Sequence, residues 1–105
     1  MDGFAGWSPD GRRIAFVSDR NQPSRRLRDL FVMDADGSNP VDLTLGRVGN
    51  VYYAIWSPDG TRIAFTAQQD RYTDLYVIDA DGSNLTNLSN RQPQVVDLVV
   101  WWIPG

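Results

Sequence analysis

The pentapeptide Trp7-Ser8-Pro9-Asp10-Gly11 recurs unaltered as Trp56-Ser57-Pro58-Asp59-Gly60, and Asp-Ala-Asp-Gly-Ser-Asn follows each copy, at 34–39 and 79–84. The chain is therefore a tandem repeat. Its tryptophans are 49 residues apart and its second motifs 45. At that period one unit is a small sheet that cannot bury both its faces alone and must stack on a neighbour. A chain of 105 residues holds two such units.

Within one unit, Pro9-Asp10-Gly11 supplies a tight turn: proline fixes φ, aspartate caps, and glycine takes the positive φ that closes it. The tryptophan-bearing segment before the turn and residues 13–18 after it read as strands, and so do 29–34. Ala35-Asp36-Gly37 turns the chain into a weaker strand at 41–44, and the second unit repeats the pattern at 62–66, 74–78 and 85–89. The second and third strands are apolar on successive residues, so both sheet faces must be covered, as they are between blades packed around an axis. No stretch shows a helical period with caps. The fold to expect is all-β, a β-propeller of four-stranded antiparallel blades. The whole of 1–105 is then one propeller segment, with blade one at about 7–45, blade two at about 56–90 and the start of a third repeat at about 95–105.

The order W-S-P-D-G, I-A-F, D-L-(F/Y)-V-(M/I)-D-A-D-G-S-N, L-(T/S) resembles the WD-like repeats of the TolB-type β-propeller family, over 7–44 and 56–89. That resemblance implies a six-bladed ring, a role in binding protein partners or in carrying a peptidase domain, and a periplasmic setting for many relatives. The chain departs from the family in three ways. It holds two blades, it lacks the additional α/β domain of TolB itself, and Trp102-Ile103-Pro104-Gly105 has lost the Ser-Pro-Asp-Gly turn.

Two blades cannot close a ring, since propellers have typically about 4–8. The outer faces of an isolated pair are expected to leave Ile, Phe, Leu and Tyr in water, a patch larger than monomers tolerate. Association of identical chains is the simplest remedy, and a trimer of two-bladed chains is preferred over a tetramer because it gives six blades. Residues 95–103 read as a strong strand, with 96–102 as its pairing stretch, whereas 1–6 read as a poor copy of it. The first is expected to pair with a neighbouring chain, as its innermost strand or in place of its N-terminal copy. The alternative is that the chain is a piece of a longer propeller.

The chain has no His, Cys, Glu or Lys; its 13 acids are all Asp and its 10 bases all Arg. A strand-and-turn architecture accounts for part of this bias, and a GC-rich source or a simplified, engineered sequence for the rest. Without His and Cys there is no thiol nucleophile, no Cys or His zinc site and no histidine general base. Ser8, Ser38, Ser57 and Ser83 have no His or Lys to deprotonate them and no Gly-x-Ser-x-Gly elbow. Paired Asp carboxylates for glycoside hydrolysis need one raised pKa, and every Asp here has a turn or strand-end explanation. Asp34, Asp36 and Ser38, with Asp79, Asp81 and Ser83, alternate oxygens as calcium loops do. They lack the distal bidentate Glu, so the turn reading is preferred and no metal or cofactor is expected.

Trp7, Trp56 and Trp102 occupy one place in the repeat and are assigned to blade packing, with sugar or base stacking as the other reading. One of Trp101 and Trp102 must face the opposite side of its strand. Laying the turns on a meander sorts the charges: the Pro-Asp-Gly end carries a net −3 and the opposite end +3. The arginine-bearing end is thus the expected recognition face for acidic peptides or other anions, with Arg25, Arg26 and Arg28 foremost and Arg47, Arg71 and Arg91 beside them. A solvated charged loop is the plainer reading of the same residues. The overall charge of −3 disfavours nucleic acid, and no run is long and apolar enough to span a bilayer or to form a secretory signal in this chain. The functional reading is a soluble, non-catalytic binding or scaffolding module that assembles with itself. Alternatives are the propeller portion of a prolyl-oligopeptidase-like peptidase, or an engineered or evolutionary-model half-propeller with no evolved ligand.

Overall fold

The computed structural model describes residues 2–20 and 27–88, with side chains from Gly6 onward. The third-repeat start at 95–105, and with it the expected interchain pairing of 96–102, lies outside the described residues. Eight strands run in order: β1 Asp2–Trp7, β2 Arg13–Ser18, β3 Asp29–Asp34, β4 Val41–Asp42, β5 Asn50–Trp56, β6 Arg62–Gln69, β7 Tyr72–Asp79 and β8 Thr86–Asn87. They form two four-stranded antiparallel meanders, β1-β2-β3-β4 and β5-β6-β7-β8. The described residues contain no helix, hence none long and apolar enough to cross a membrane.

The repeated motifs make the turns by the same hydrogen bonds in both sheets. Asp10 Oδ1 accepts from Ser8 Oγ at 2.7 Å and from the Arg12 amide at 3.0 Å, while the Gly11 amide donates to the Ser8 carbonyl at 2.9 Å. Asp59, Ser57, Thr61 and Gly60 repeat these bonds at 2.7, 3.0 and 2.9 Å. Gly11 and Gly60 stand at φ +71° and +73°, a conformation open to glycine at little cost.

Strands β2 and β3 have the expected bounds, whereas β6 and β7 run past the expected 62–66 and 74–78. The reason is the tight turn at Asp70-Arg71, where Asp70 takes φ 58° and the ladder continues to Gln69 opposite Tyr72. The β4 strand is shorter than the expected 41–44. Asp42 Oδ1 accepts from the amides of Thr44 and Leu45 at 3.2 and 2.9 Å and turns the chain out of the sheet.

The sheets stack face to face. On the back of blade one, Ala15 pairs with Val32 and Val17 with Leu30. On the front of blade two, Ile63 pairs with Ile78 and Phe65 with Tyr76. These faces share one core with Leu43, Val48, Val51, Ala54 and Trp56, and β5 packs against β1, β2 and β3. The unshared faces are the front of blade one (Ile14, Phe16, Phe31, Met33) and the back of blade two (Ala64, Thr66, Leu75, Val77).

Those outer faces differ from the open apolar patches expected of an isolated pair. Phe16, Phe31, Ala64 and Leu75 are all buried. On blade one a cation lies on this face: Phe16 and Phe31 stack at 5.3 Å, and the Arg20 guanidinium lies 4.9 and 5.2 Å from their ring centres, its Nε donating to Ser18 Oγ at 3.2 Å. On blade two, Ala64 and Leu75 form a small cluster of their own with Ile55. The exposed large apolar side chains are at the rims, Trp7, Leu45 and Tyr53 among them.

Candidate functional site

The seam between the blades ends at the Pro-Asp-Gly side in an indole latch. Trp56, the last residue of β5, is only 7% exposed. Its Nε1 donates to the Gly6 carbonyl of β1 at 3.1 Å, and Arg13, the first residue of β2, holds its guanidinium 5.3 Å from the indole centre. The geometry combines a packed ring, a donor that finds an acceptor, and a cation on the ring face. Trp7 holds the same place in blade one and is 61% exposed. Trp102 lies outside the described residues.

Beside Arg13 the seam opens into a cleft of about 380 Å³ bordered by Asp34, Asn39, Val41 and Asp81. A second recess flanks Arg13 along Thr61, Arg62 and Asp79. The carboxylates here are committed to their own turns. Asp34 Oδ2 accepts from Asn39 Nδ2 at 2.9 Å and Asp79 Oδ2 from Asn84 Nδ2 at 2.7 Å. Asp36 and Asp81 each accept from the hydroxyl and the amide of the serine two residues on. No group of three or more candidate ligands able to hold a metal ion occurs among the described residues.

The same bonds set the acidities. The Ser57 hydroxyl, the Thr61 amide and the Thr61 hydroxyl, in that order, lower Asp59 from 3.8 to about 2. Asp10 is lowered by Ser8 and then by the Arg12 amide, and Asp36 and Asp81 by Ser38 and Ser83. A hydrogen bond to the ionised form favours that form. These turn carboxyls are therefore anions at neutral pH, unsuited to the protonated acid of a glycosidase pair.

At the other end the meander gathers the β2–β3, β4–β5 and β6–β7 connections, which carry Arg28, Arg47 and Arg71 of the expected recognition arginines. Arg25, Arg26 and Arg91 are outside the described residues. The Arg28 amide donates to Asn50 Oδ1 at 2.9 Å and its carbonyl accepts from the Val51 amide at 2.9 Å, joining the blades. Arg47 turns inward on its own loop, Nε to the Thr44 carbonyl at 3.1 Å and Nη2 to the Leu43 carbonyl at 2.9 Å. Arg71 is exposed on the β6–β7 turn. Arg28, Arg47 and Arg71 thus share an end of the molecule, with Arg28 and Arg47 also holding its loops in shape.

Three contributors have no counterpart among the residues singled out in the sequence. Arg13 was legible in principle, since Arg62 repeats it. The Gly6 carbonyl has no side-chain signal at all. Leu45 is 68% exposed at φ 51°, a costly conformation for a leucine. It is held by Asp42 and, through Gly46, by buried Asp29, whose Oδ1 accepts from the Gly46 amide at 2.8 Å and from Thr44 Oγ1 at 2.9 Å.

No protein-family profile matches the chain. Among solved structures it is similar to a protein described as TolB from Agrobacterium tumefaciens, at a TM-score of 0.71 and 23% identity over 83% of this chain and 32% of that one. TolB from Acinetobacter baumannii gives 0.66 and 21% over 86% and 21%. The isopeptidase AtxE2 in its apo form gives 0.62 and 22% over 79% and 16%. The chain spans a third or less of each of these proteins. It has the TolB-type propeller-like fold, as a portion of one.

Proposed function

We propose that the chain is a non-catalytic binding or scaffolding propeller module that completes its ring by association with copies of itself, three chains giving six blades. The observation that carries this reading is the seam: two blades of one design pack front to back, and the pair still presents a front with an exposed Trp7. The catalytic alternative is disfavoured by anionic turn carboxyls and by the lack of His, Cys, Glu and Lys in the sequence. The end bearing Arg28, Arg47 and Arg71, with Arg25, Arg26 and Arg91, is the proposed recognition face for acidic peptides or other anions. Light scattering after gel filtration tests the assembly: a mass of three chains is expected, and a well-folded monomer at micromolar concentration refutes it. Binding of an acidic peptide should weaken with salt and fall in Arg25→Ala with Arg26→Ala; an unchanged affinity refutes the recognition face.

The likeness to an isopeptidase favours a second reading, that these blades belong to the propeller portion of a peptidase whose hydrolase domain lies elsewhere. Adjoining coding sequence with further repeats and a Gly-x-Ser-x-Gly domain would support it, and the absence of both would remove it.

A further inference from the structure

The loop from β4 to β5 holds a strained leucine out to solvent. Four non-glycine residues among those described have positive φ, and three of them are Asn39, Asp70 and Asn84, types whose short polar side chains bond locally and tolerate that conformation. The fourth is Leu45, at φ 51° and 68% exposed. Its neighbours fix it there. Asp42 Oδ1 accepts from its amide at 2.9 Å, and buried Asp29 accepts from the next amide, that of Gly46, at 2.8 Å and from the Thr44 hydroxyl at 2.9 Å. Strand pairing sets Asp42 opposite Phe31 and Asn87 opposite Tyr76, so the place of Leu45 in the first repeat falls to Asn90 in the second. One repeat carries a residue type that suits positive φ, and the other a type that resists it. Burial does not offset the strain of Leu45, which points to a contact the chain itself does not make.

Arg47, two residues on, is exposed and oriented. Its Nε and Nη2 donate to the Thr44 and Leu43 carbonyls at 3.1 and 2.9 Å. These bonds fix one edge of the guanidinium and leave the Nη1–Nη2 edge without an acceptor among the described residues. That edge fits both oxygens of a carboxylate. We propose that the β4–β5 loop is the contact element of the arginine-bearing end, and that its ligand is a peptide segment in which an acidic residue adjoins a large apolar one. The carboxylate sits on Arg47 and the apolar side chain packs against Leu45. This rests on the recognition-face reading above and adds an apolar requirement to it. An acidic peptide is the occupant because the β2–β3 and β6–β7 connections bring Arg28 and Arg71 to the same end. The loop is ordered by its own bonds before any ligand arrives, so little freedom is lost on binding.

The test uses the full chain at low salt with two labelled acidic peptides of equal charge, identical except that the residue beside the central Glu is Phe in one and Ser in the other. Fluorescence anisotropy reads their binding. Wild type should bind the Phe peptide at least about tenfold more tightly than the Ser peptide. Leu45→Asn and Leu45→Ala should lose that preference, Leu45→Met should keep it, and Arg47→Gln should weaken both peptides, with near-ultraviolet circular dichroism checking that its fold is intact. Stability gives a second readout. Leu45→Asn relieves the strain and should raise Tm by about 4 °C or more, whereas Leu45→Ala keeps a β-carbon at positive φ and should not. If wild type binds both peptides equally, if Leu45→Asn keeps the preference, or if Leu45→Asn is no more stable than wild type, the Leu45 contact is refuted while the anion-binding face stands. If neither peptide binds wild type, both fail.

Discussion

Replacing Trp56 by alanine isolates the energy of the seam. The ring is 7% exposed, bonded to the Gly6 carbonyl and covered on one face by Arg13. A buried tryptophan removes about 150–250 Å² from water, which at about 25 cal/mol per Å² is an upper estimate near 4–6 kcal/mol. Truncation of large core aromatics to alanine costs about 3–5 kcal/mol, and that is the expected loss here. For a domain of this length it lowers Tm by about 15–30 °C, a large part of a total stability of about 5–15 kcal/mol. Trp56→Phe keeps much of the packing and removes the donor, so it should cost about 1–2 kcal/mol. Urea melts followed by far-ultraviolet circular dichroism measure both. A loss below about 1 kcal/mol for Trp56→Ala would mean that the indole is not packed between blades, and the reasoning from the seam would fail.

Asp59 has a folded-state pKa of about 2 against 3.8, so its contribution is fully present above 3.8 and is lost as pH falls through about 2. Wild type should then be more stable than Asp59→Asn at neutral pH and the two should converge near the lower value; a constant difference down to that pH refutes the assignment. Gly49→Ala should cost about 2–4 kcal/mol in denaturant melts, since φ is +85° and a Cβ would strike the Gln68 carbonyl oxygen. Gly37→Ala, at φ +88° with open space around it, should cost about 1 kcal/mol, and equal losses would refute the clash. Millimolar calcium should leave Tm unchanged, because Asp34, Asp36, Asp79 and Asp81 already serve their turns. A rise of several degrees abolished by Asp34→Asn with Asp79→Asn would overturn this.

The meander was legible because its determinants are local. Pro9-Asp10-Gly11 and Ala35-Asp36-Gly37 close on hydrogen bonds reaching two to five residues, and the apolar runs of β2 and β3 announce two covered faces. What lies on those faces was not legible. Nothing in the order of residues says that Arg20 lies on Phe16 and Phe31, because that contact depends on side-chain reach across a sheet. The latch was half visible: Trp56 is a repeated aromatic, whereas its acceptor is a carbonyl, which every residue but its neighbours' geometry leaves anonymous. At the arginine end, charge sorting placed Arg28, Arg47 and Arg71 together, but it could not foresee that Arg47 spends two donors on its own loop.

The stacking of two sheets through one seam has a consequence for the count of seams. An open pair has one seam for two blades, whereas any closed ring has one for every blade. In a nearest-neighbour array, stability is a sum of blade terms and seam terms, so closure doubles the seam terms carried by each blade without any new kind of contact. That gain per chain is the same whether three or four chains meet. The size of a ring built from this unit is accordingly set by the angle between its blades, and the chemistry of the seam sets only how firmly it shuts.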